Sequence, residues 1–313
     1  MTRDASAADP GWVVVGPTAV GKSGVAMCLA RQLGGEIITV DSMQVYRGLD
    51  IGTDKPSPSD RALIPHHLVD VVSLAESFDA ARFVRLARAA AADIRGRNRA
   101  VISSGGTGLY LKAWVEGLGH APPADPELRL ALEQMPLAEL LEELRRRDPV
   151  AYERIDRRNP RRVIRAVEVL RLAGEPLASQ RATWRPVEEA PEPRPGYFGL
   201  VRPAASLARR IEARVERMFA EGLVEETRAL LEAGLRSNAT ACQAIGYRQV
   251  MEMLDGQRSC AETIDLVKRR TRQLARRQLT WFRRQTPVTW LEVGDDEPDA
   301  SVVDRILRRR GQT

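Results

Sequence analysis

A chain of 313 residues that is 43% hydrophobic and 29% charged has the composition of a folded enzyme, with room for one large core or a core plus a smaller domain. No apolar run approaches the ~20 residues of a membrane-spanning helix, and the polar, acid-bearing start "MTRDASAADP" does not read as a secretory signal. Cys28, Cys242 and Cys260 have no paired spacing, which argues against a disulfide framework or structural metal site and for a reducing, cytoplasmic setting.

In chain order, Val13, Val14 and Val15 predict a short buried strand ending at Gly16, followed by a glycine loop and a helix over 24–33. Ile37, Ile38 and Val40 predict a second strand that delivers Asp41 and Ser42 at its end. "HLVDVV" is a third candidate strand. Ser77 or Asp79 can cap an alanine-rich helix over about 80–97, with Phe83, Leu86, Ala90 and Ile94 on one face. "AVISSGGTGLY" repeats strand, glycine loop and helix. Short apolar strands alternating with helices predict a parallel α/β sheet.

After Gly117 the pattern changes. In "HAPPADPELRLALEQ", Asp125 is placed as an N-cap with Pro126 at the first helical position. Three helical segments follow without a strand. In the last of them Asn159 caps, Pro160 opens, Val163, Val167 and Leu170 line one face, and Gly174 stops the helix. The proline-rich stretch 185–195 reads as a hinge. "YFGLVR" resumes a strand, long helices follow, and "VTWLEV" predicts a last strand. The expected architecture is a P-loop NTPase-like, doubly wound parallel α/β core over 1–121 and 197–313, interrupted by an all-helical insertion over 122–196.

Gly16, Pro17, Thr18, Ala19, Val20, Gly21, Lys22 and Ser23 fit G-x-x-x-x-G-K-[ST] at every fixed position, between a predicted strand and a predicted helix. Such a loop turns backbone N–H groups around phosphates and adds the positive end of a helix dipole. Lys22 then reaches phosphate oxygens and the Ser23 hydroxyl ligates Mg²⁺. A phosphoryl-transfer enzyme also needs a strand-end acid for its metal. The strand over 101–104 runs into Ser-Gly-Gly-Thr-Gly instead, so Asp41 is the acid at a suitable strand end. It reads as a metal-holding acid, a base aimed at a substrate beside the phosphates, or a simple cap.

Net charge is +6, from 48 Lys+Arg against 42 Asp+Glu, and only Lys22, Lys55, Lys112 and Lys268 of the cations are lysines. Arginine suits phosphates and stacked bases. The stretch 268–284 holds eight cations and no acid, with Val267, Leu274 and Trp281 at heptad spacing as its buried seam. A second cluster is Arg157, Arg158, Arg161, Arg162 and Arg165. Each alone is as readily a solvated face; together they suggest a track for a nucleic acid. His66 and His67 have no third ligand nearby and read as structural.

Eight blocks in order, "GPTAVGKS", "DSMQVYRGLDIGTDKP", "PHHLVDV", "SSGGTGLYLKA", "ADPELR", "NPRRVIRAVEVL", "AIGYRQ" and "RRQLTWFR", resemble the tRNA dimethylallyltransferase family over nearly the whole chain. The block "DSMQVYRGLDIGT" is far more specific than the phosphate loop. The resemblance implies transfer of a dimethylallyl group from dimethylallyl diphosphate to the exocyclic amine of the adenosine 3′ of the tRNA anticodon. The loop, Lys22, Mg²⁺ on Ser23 and Arg210 then stabilise departing diphosphate, with Arg209 able to replace Arg210, and Asp41 takes the amine proton. The adenosine must be flipped out to be reached. The resemblance further implies that Asp41, Ser42, Met43, Gln44, Thr107 and Arg129 contact the anticodon loop. It gives Arg161, Arg162, Arg165, Gln243, Gly246, Tyr247, Arg248, Arg276, Arg277 and Arg283 to the anticodon arm. A cytoplasmic, monomeric enzyme is expected.

The chain departs from the family pattern at Val20, where Ser is usual, at Ser23, where Thr is common, at Asp54, where Ala is common, and in a short insertion between Gln134 and Asp148. Two other readings share the loop: an ATP-dependent small-molecule or nucleotide kinase, and a nucleic-acid-dependent NTPase. The arginine tracks and the missing strand-end acid count against the first, and the lack of a second nucleotide-responsive motif against the second.

Overall fold

The computed structural model describes residues 9–175 and 192–310. The chain forms two compact units, one of Met1–Val115 with Arg185–Thr313 and one of Glu116–Trp184. Among the described residues, 116–121 fall with the second unit and 192–196 with the first, where the insertion was expected over 122–196.

The first unit opens with β1 (Trp12–Val15), α1 (Lys22–Leu33) and β2 (Glu36–Val40), followed by the short α2 (Pro58–Leu63) and β3 (His66–His67). The third strand is much shorter than "HLVDVV" predicted. Leu68 and Asp70 turn left-handed (φ 62° and 56°), and Val72 returns only as a single bridge to Tyr46. The Asp70 carboxylate is held between Lys55 at 2.5 Å and Arg61 at 2.6 Å, which draws the chain off the ladder. Next come α3 (Ala80–Gly96), β4 (Val101–Gly105) and α4 (Gly108–Glu116). Asp79 caps α3 by accepting from the Arg82 N–H. Its buried stripe is Phe83, Val84, Ala87, Ala91 and Ile94, so the expected Leu86 and Ala90 lie at its flank. Arg82 and Arg85 mark the opposite face, and the small Ala87 and Ala91 pack inward in place of Leu86 and Ala90.

The second unit carries α5 (Pro126–Glu133), α6 (Leu137–Arg147), α7 (Pro149–Arg154) and α8 (Pro160–Ala173). Their starts follow from local chemistry. Asp125, Asp148 and Asn159 each accept a hydrogen bond from the third residue of their helix, with proline at the first helical position. Gly174 closes α8 in the left-handed region. Leu132, Leu140, Leu144, Val163, Val167 and Leu170 form the core of this unit, each buried side chain contributing about 1.5–3 kcal/mol. The predicted hinge over 185–195 lies largely outside the described residues.

The first unit resumes with β5 (Tyr197–Val201), α9 (Ala204–Ala220), α10 (Leu223–Glu232), α11 (Tyr247–Leu254), α12 (Cys260–Gln285), β6 (Thr289–Glu292) and α13 (Asp299–Arg310). Among the described residues, six strands make one sheet in the order β3-β2-β4-β1-β5-β6, and every pairing is parallel. This is a doubly wound α/β fold of the P-loop type. Val14, Val25, Leu29, Ile37, Ile102, Leu200 and Val302 belong to the core between the sheet and its helices. Registers Val15↔Gly105 and Val40↔Gly105 bring the carboxyl ends of β1, β4 and β2 level. The segments that follow those three strands therefore leave the sheet side by side.

Candidate active site

Gly16, at φ 146°, begins the phosphate loop, and a Cβ there would lie 2.6 Å from the Leu200 carbonyl oxygen. Only glycine allows that turn so close to β5. Val20 is fully buried in the main core, so this departure from the family pattern anchors the loop instead of facing a ligand. Ser23 is exposed in the first turn of α1, with its hydroxyl at the helix N-terminus.

Cations hold the loop through its carbonyl oxygens. Lys22 Nζ donates to Pro17 at 2.8 Å, Arg202 Nε to Val20 at 2.9 Å and Arg210 Nε to Ala19 at 2.9 Å. Arg210 is therefore the arginine at the loop, whereas Arg209 is paired with Asp295 at 2.6 Å. Arg214 completes the set. Its Nη1 donates to Thr18 Oγ1 at 3.0 Å and its side chain is only 18% exposed. Burial, and then the charge of Arg214, push the Lys22 ammonium down to about 8, with Asp41 and Asp54 pulling the other way. Arg214 is lowered too, by burial, against the opposing pull of Asp54 and Asp41. Like charge thus opposes like charge at this loop, Arg214 against Lys22 and Arg210 against Arg202.

Asp41 leaves the end of β2. Its Oδ1 accepts from the Met43 N–H at 2.8 Å and the Gln44 N–H at 3.2 Å, so it does cap the turn that follows. No hydrogen bond among the described residues engages Oδ2, which leaves one carboxylate oxygen for chemistry. Thr107 ties this end of β2 to the glycine loop after β4. Its N–H donates to Val40 and its Oγ1 accepts from the Ser42 N–H at 3.1 Å. The Gln44 amide donates to the Thr53 and Asp54 carbonyls, fixing the next loop.

Helix α12 supplies the facing wall. Gln278 Oε1 accepts from the Thr18 N–H at 2.8 Å while its Nε2 donates to the Gly106 carbonyl at 3.0 Å. One side chain thus bridges the two glycine loops. The buried stripe of α12 is Thr263, Val267, Thr271, Ala275 and Phe282, so the predicted seam was one position off after Val267. Leu274 and Trp281 are half-buried and line a cavity of about 550 Å³ with Lys22, Asp41, Thr107 and Gln278. Phosphate loop, carboxylate and apolar wall open onto one space. The signals for the missed residues were present: Gln278 is a polar residue at the spacing of the α12 seam, and Arg214 and Arg217 share one helical face with the expected Arg210.

Residues 44–285 match a family described as IPP transferase. The chain is 46% identical to a tRNA dimethylallyltransferase of Geobacter metallireducens, over 90% of this chain and 91% of that one. It also resembles the crystal structure of a full-length tRNA isopentenylpyrophosphate transferase from Bacillus halodurans. That match has a TM-score of 0.67 and 37% identity, covering 96% of each chain. A structure of a eukaryotic dimethylallyltransferase acting on tRNA matches with a TM-score of 0.69 and 25% identity, over 96% of this chain and 76% of that one. The chain belongs to the IPP transferase family.

The other positions that family resemblance assigned to nucleic acid divide into presented and buried groups. Gln243, Arg248, Arg276, Arg277 and Arg283 are exposed. Gly246 and Tyr247, assigned with them, are buried. The Tyr247 hydroxyl donates to Glu226 and accepts from the Gly52 N–H at 3.0 Å, so it props up the turn at Ile51–Thr53 from beneath. Burial and the Glu226 charge raise its pKa. Within the basic run on α12, Lys268 and Arg272 are paired with Glu216 and Glu212 of α9 and stand apart from any track.

In the helical unit Arg161 and Arg162 are exposed on the first turn of α8. Arg129 and Arg165 are both bound to the fully buried Glu168, at 2.5 and 2.6 Å, and Arg165 also donates to the Pro122 carbonyl. Glu168 further accepts from the Asp125 N–H at 3.0 Å. Each arginine keeps about a third of its side chain exposed. His66 bonds the Ile64 carbonyl and His67 bonds Glu36, both structural. No helix among the described residues is long and apolar enough to cross a membrane.

Proposed function

We propose that this chain transfers a dimethylallyl group from dimethylallyl diphosphate to the exocyclic amine of the adenosine 3′ of a tRNA anticodon. The observation that carries the reading is the shared cavity, with Lys22 at one part of its lining, Asp41 at another, and Leu274, Trp281, Val215 and Met218 as apolar wall. A phosphate-binding loop opening onto an apolar chamber with a carboxylate suits a prenyl diphosphate better than a nucleotide.

In this reading Lys22, Arg210 and Arg214 bind the diphosphate. As the allylic carbon–oxygen bond breaks, its electron pair leaves with the diphosphate, and these preplaced cations stabilise the growing charge. The adenine nitrogen bonds to that carbon, and Asp41 Oδ2 accepts the proton the nitrogen gives up. Leu274 and Trp281 keep water from the allylic carbon, where it would compete as nucleophile. No group of three or more His, Cys, Asp or Glu side chains arranged to hold a metal occurs among the described residues. One exposed hydroxyl, Ser23, beside a diphosphate fits Mg²⁺, which keeps most of its shell as water and phosphate oxygens. Bound there, Mg²⁺ would neutralise part of the leaving-group charge.

The test is direct. The protein is mixed with Mg²⁺, labelled dimethylallyl diphosphate and unmodified tRNA, without ATP, and the RNA is digested to nucleosides. Label in a prenylated adenosine is expected. Label absent with several tRNAs, while added ATP is consumed, would favour a kinase.

A further inference from the structure

Asp54 is a carboxylate inside a cationic site. It ends the turn at Ile51–Thr53 in the left-handed conformation (φ 53°), which aspartate and asparagine tolerate better than most residues. Its Oδ1 lies 3.0 Å from Arg217 Nη2 and its Oδ2 3.4 Å from Arg214 Nη1. With Lys22, Ser23 and Arg214 it lines the main cavity and a second one of about 350 Å³, which Arg210 and Arg217 also line. An anion at this place opposes the ligand that the surrounding cations attract.

We propose that Asp54 is an internal counter-ion that occupies Arg214 and Arg217 while the phosphate loop is empty, and that an incoming diphosphate displaces it. The inference rests on the reading of the loop as a diphosphate site. Three observations support it. The carboxylate is 41% exposed and Arg217 54% exposed, so water and salt screen the pair and it is easily broken. A diphosphate offers several charged oxygens to the same guanidiniums, and multidentate contacts are the stronger ones. The backbone of Asp54 is held separately, its carbonyl by Gln44 Nε2 and its N–H by the Ile51 carbonyl, so the side chain can swing out while the loop stays in place.

The alternative role, aiming the arginines at the ligand, fits less well. Arg214 already has two other anchors, Thr18 Oγ1 at 3.0 Å and the Thr53 carbonyl at 3.4 Å. It stays in place without the carboxylate. The counter-ion role has a further consequence: a returning carboxylate also helps to expel product diphosphate, so Asp54 sets turnover as well as affinity.

Inorganic pyrophosphate is the probe, titrated calorimetrically into the full chain with Mg²⁺ at pH 7. Asp54→Asn removes the charge and keeps the left-handed turn; Asp54→Ala, checked for a native melting transition, is the second variant. Both are expected to bind pyrophosphate about three- to tenfold tighter than the unmodified protein, with a smaller gain at high salt. Adding Arg217→Ala to Asp54→Asn is expected to remove part of that gain. Equal or weaker binding in Asp54→Asn, where the unmodified protein binds, overturns this proposal alone. Failure of the unmodified protein to bind pyrophosphate overturns the diphosphate reading and the proposal with it.

Discussion

Gln278 joins Thr18 to Gly106: its Oε1 accepts from the first and its Nε2 donates to the second. The bond to Thr18 holds a phosphate-loop N–H and fixes the distance from the loop to the ends of β2 and β4. Gln278→Ala is therefore expected to lower kcat/KM for the prenyl diphosphate about tenfold, a loss typical of a misplaced reacting group. Gln278→Glu should do worse, because it keeps the acceptor, loses the donor and adds an anion beside the leaving group. Steady-state kinetics, with circular dichroism to check the fold, measure both.

Asp41→Asn separates the two oxygens of that side chain. The amide oxygen can still accept from Met43 and Gln44, so the turn survives, but the proton acceptor is gone. Single-turnover rates are expected to fall by about 10²-fold or more, while tRNA affinity measured by filter binding stays within about twofold. An unchanged rate would remove Asp41 from the role of base.

The depressed pKa of Lys22 gives a pH signature. With its ammonium at about 8 in the folded protein, Lys22 is charged below that pH and loses its proton above it. The advantage in pyrophosphate affinity of the unmodified protein over Lys22→Met, compared at each pH so that the ligand's own titration cancels, should be constant below pH 8 and shrink above it, by up to about tenfold per unit. The linkage to folding has the opposite sense. Between about 8 and the ordinary value of 10.5 the unfolded chain holds the extra proton, so stability rises with pH across that window. The cost is fully present below pH 8, and Lys22→Met should raise the melting temperature at pH 7.

Gly108 touches Trp281. A Cβ at Gly108 would come within 2.1 Å of the indole ring, so Gly108→Ala must move the ring that walls the cavity. Transfer is expected to slow by about tenfold or more, with a shift in tryptophan fluorescence as the independent readout. An unchanged rate and spectrum would show that this wall tolerates displacement.

Glu168→Ala leaves Arg129 and Arg165 without their shared acceptor. Loss of these charge-assisted bonds should cost about 2 kcal/mol of stability, seen as an earlier unfolding transition. Alanine at Arg161 and Arg162 should weaken tRNA binding and flatten its dependence on salt.

Much of the fold was legible because its signals are local. Glycine at position 16, aspartate at 79 and 125 and asparagine at 159 dictate loops and helix starts from their own chemistry, and the runs 13–15 and 37–40 are too apolar to be anything but buried strands. Phosphate loop and Asp41 were legible for the same reason. What escaped depended on long-range packing. Whether Trp281 or Phe282 turns inward is decided by where α12 crosses the glycine loops, and the role of Gln278 needs a partner 260 residues away. Asp70 broke a predicted strand because Lys55 and Arg61 were waiting for it. That the Tyr247 hydroxyl turns inward to Glu226 was likewise invisible without its partner.

Helix α12 supplies Gln278 and Trp281 to a loop that begins at Gly16, which has a consequence for synthesis. Most of the chain must leave the ribosome before the phosphate loop acquires its bridge and the cavity its wall. A nascent polypeptide that has exposed only β1 to β4 carries Lys22 and Asp41 but neither Arg202, Arg210 and Arg214 nor a closed chamber. Chemical competence arrives late and all at once, with the penultimate helix.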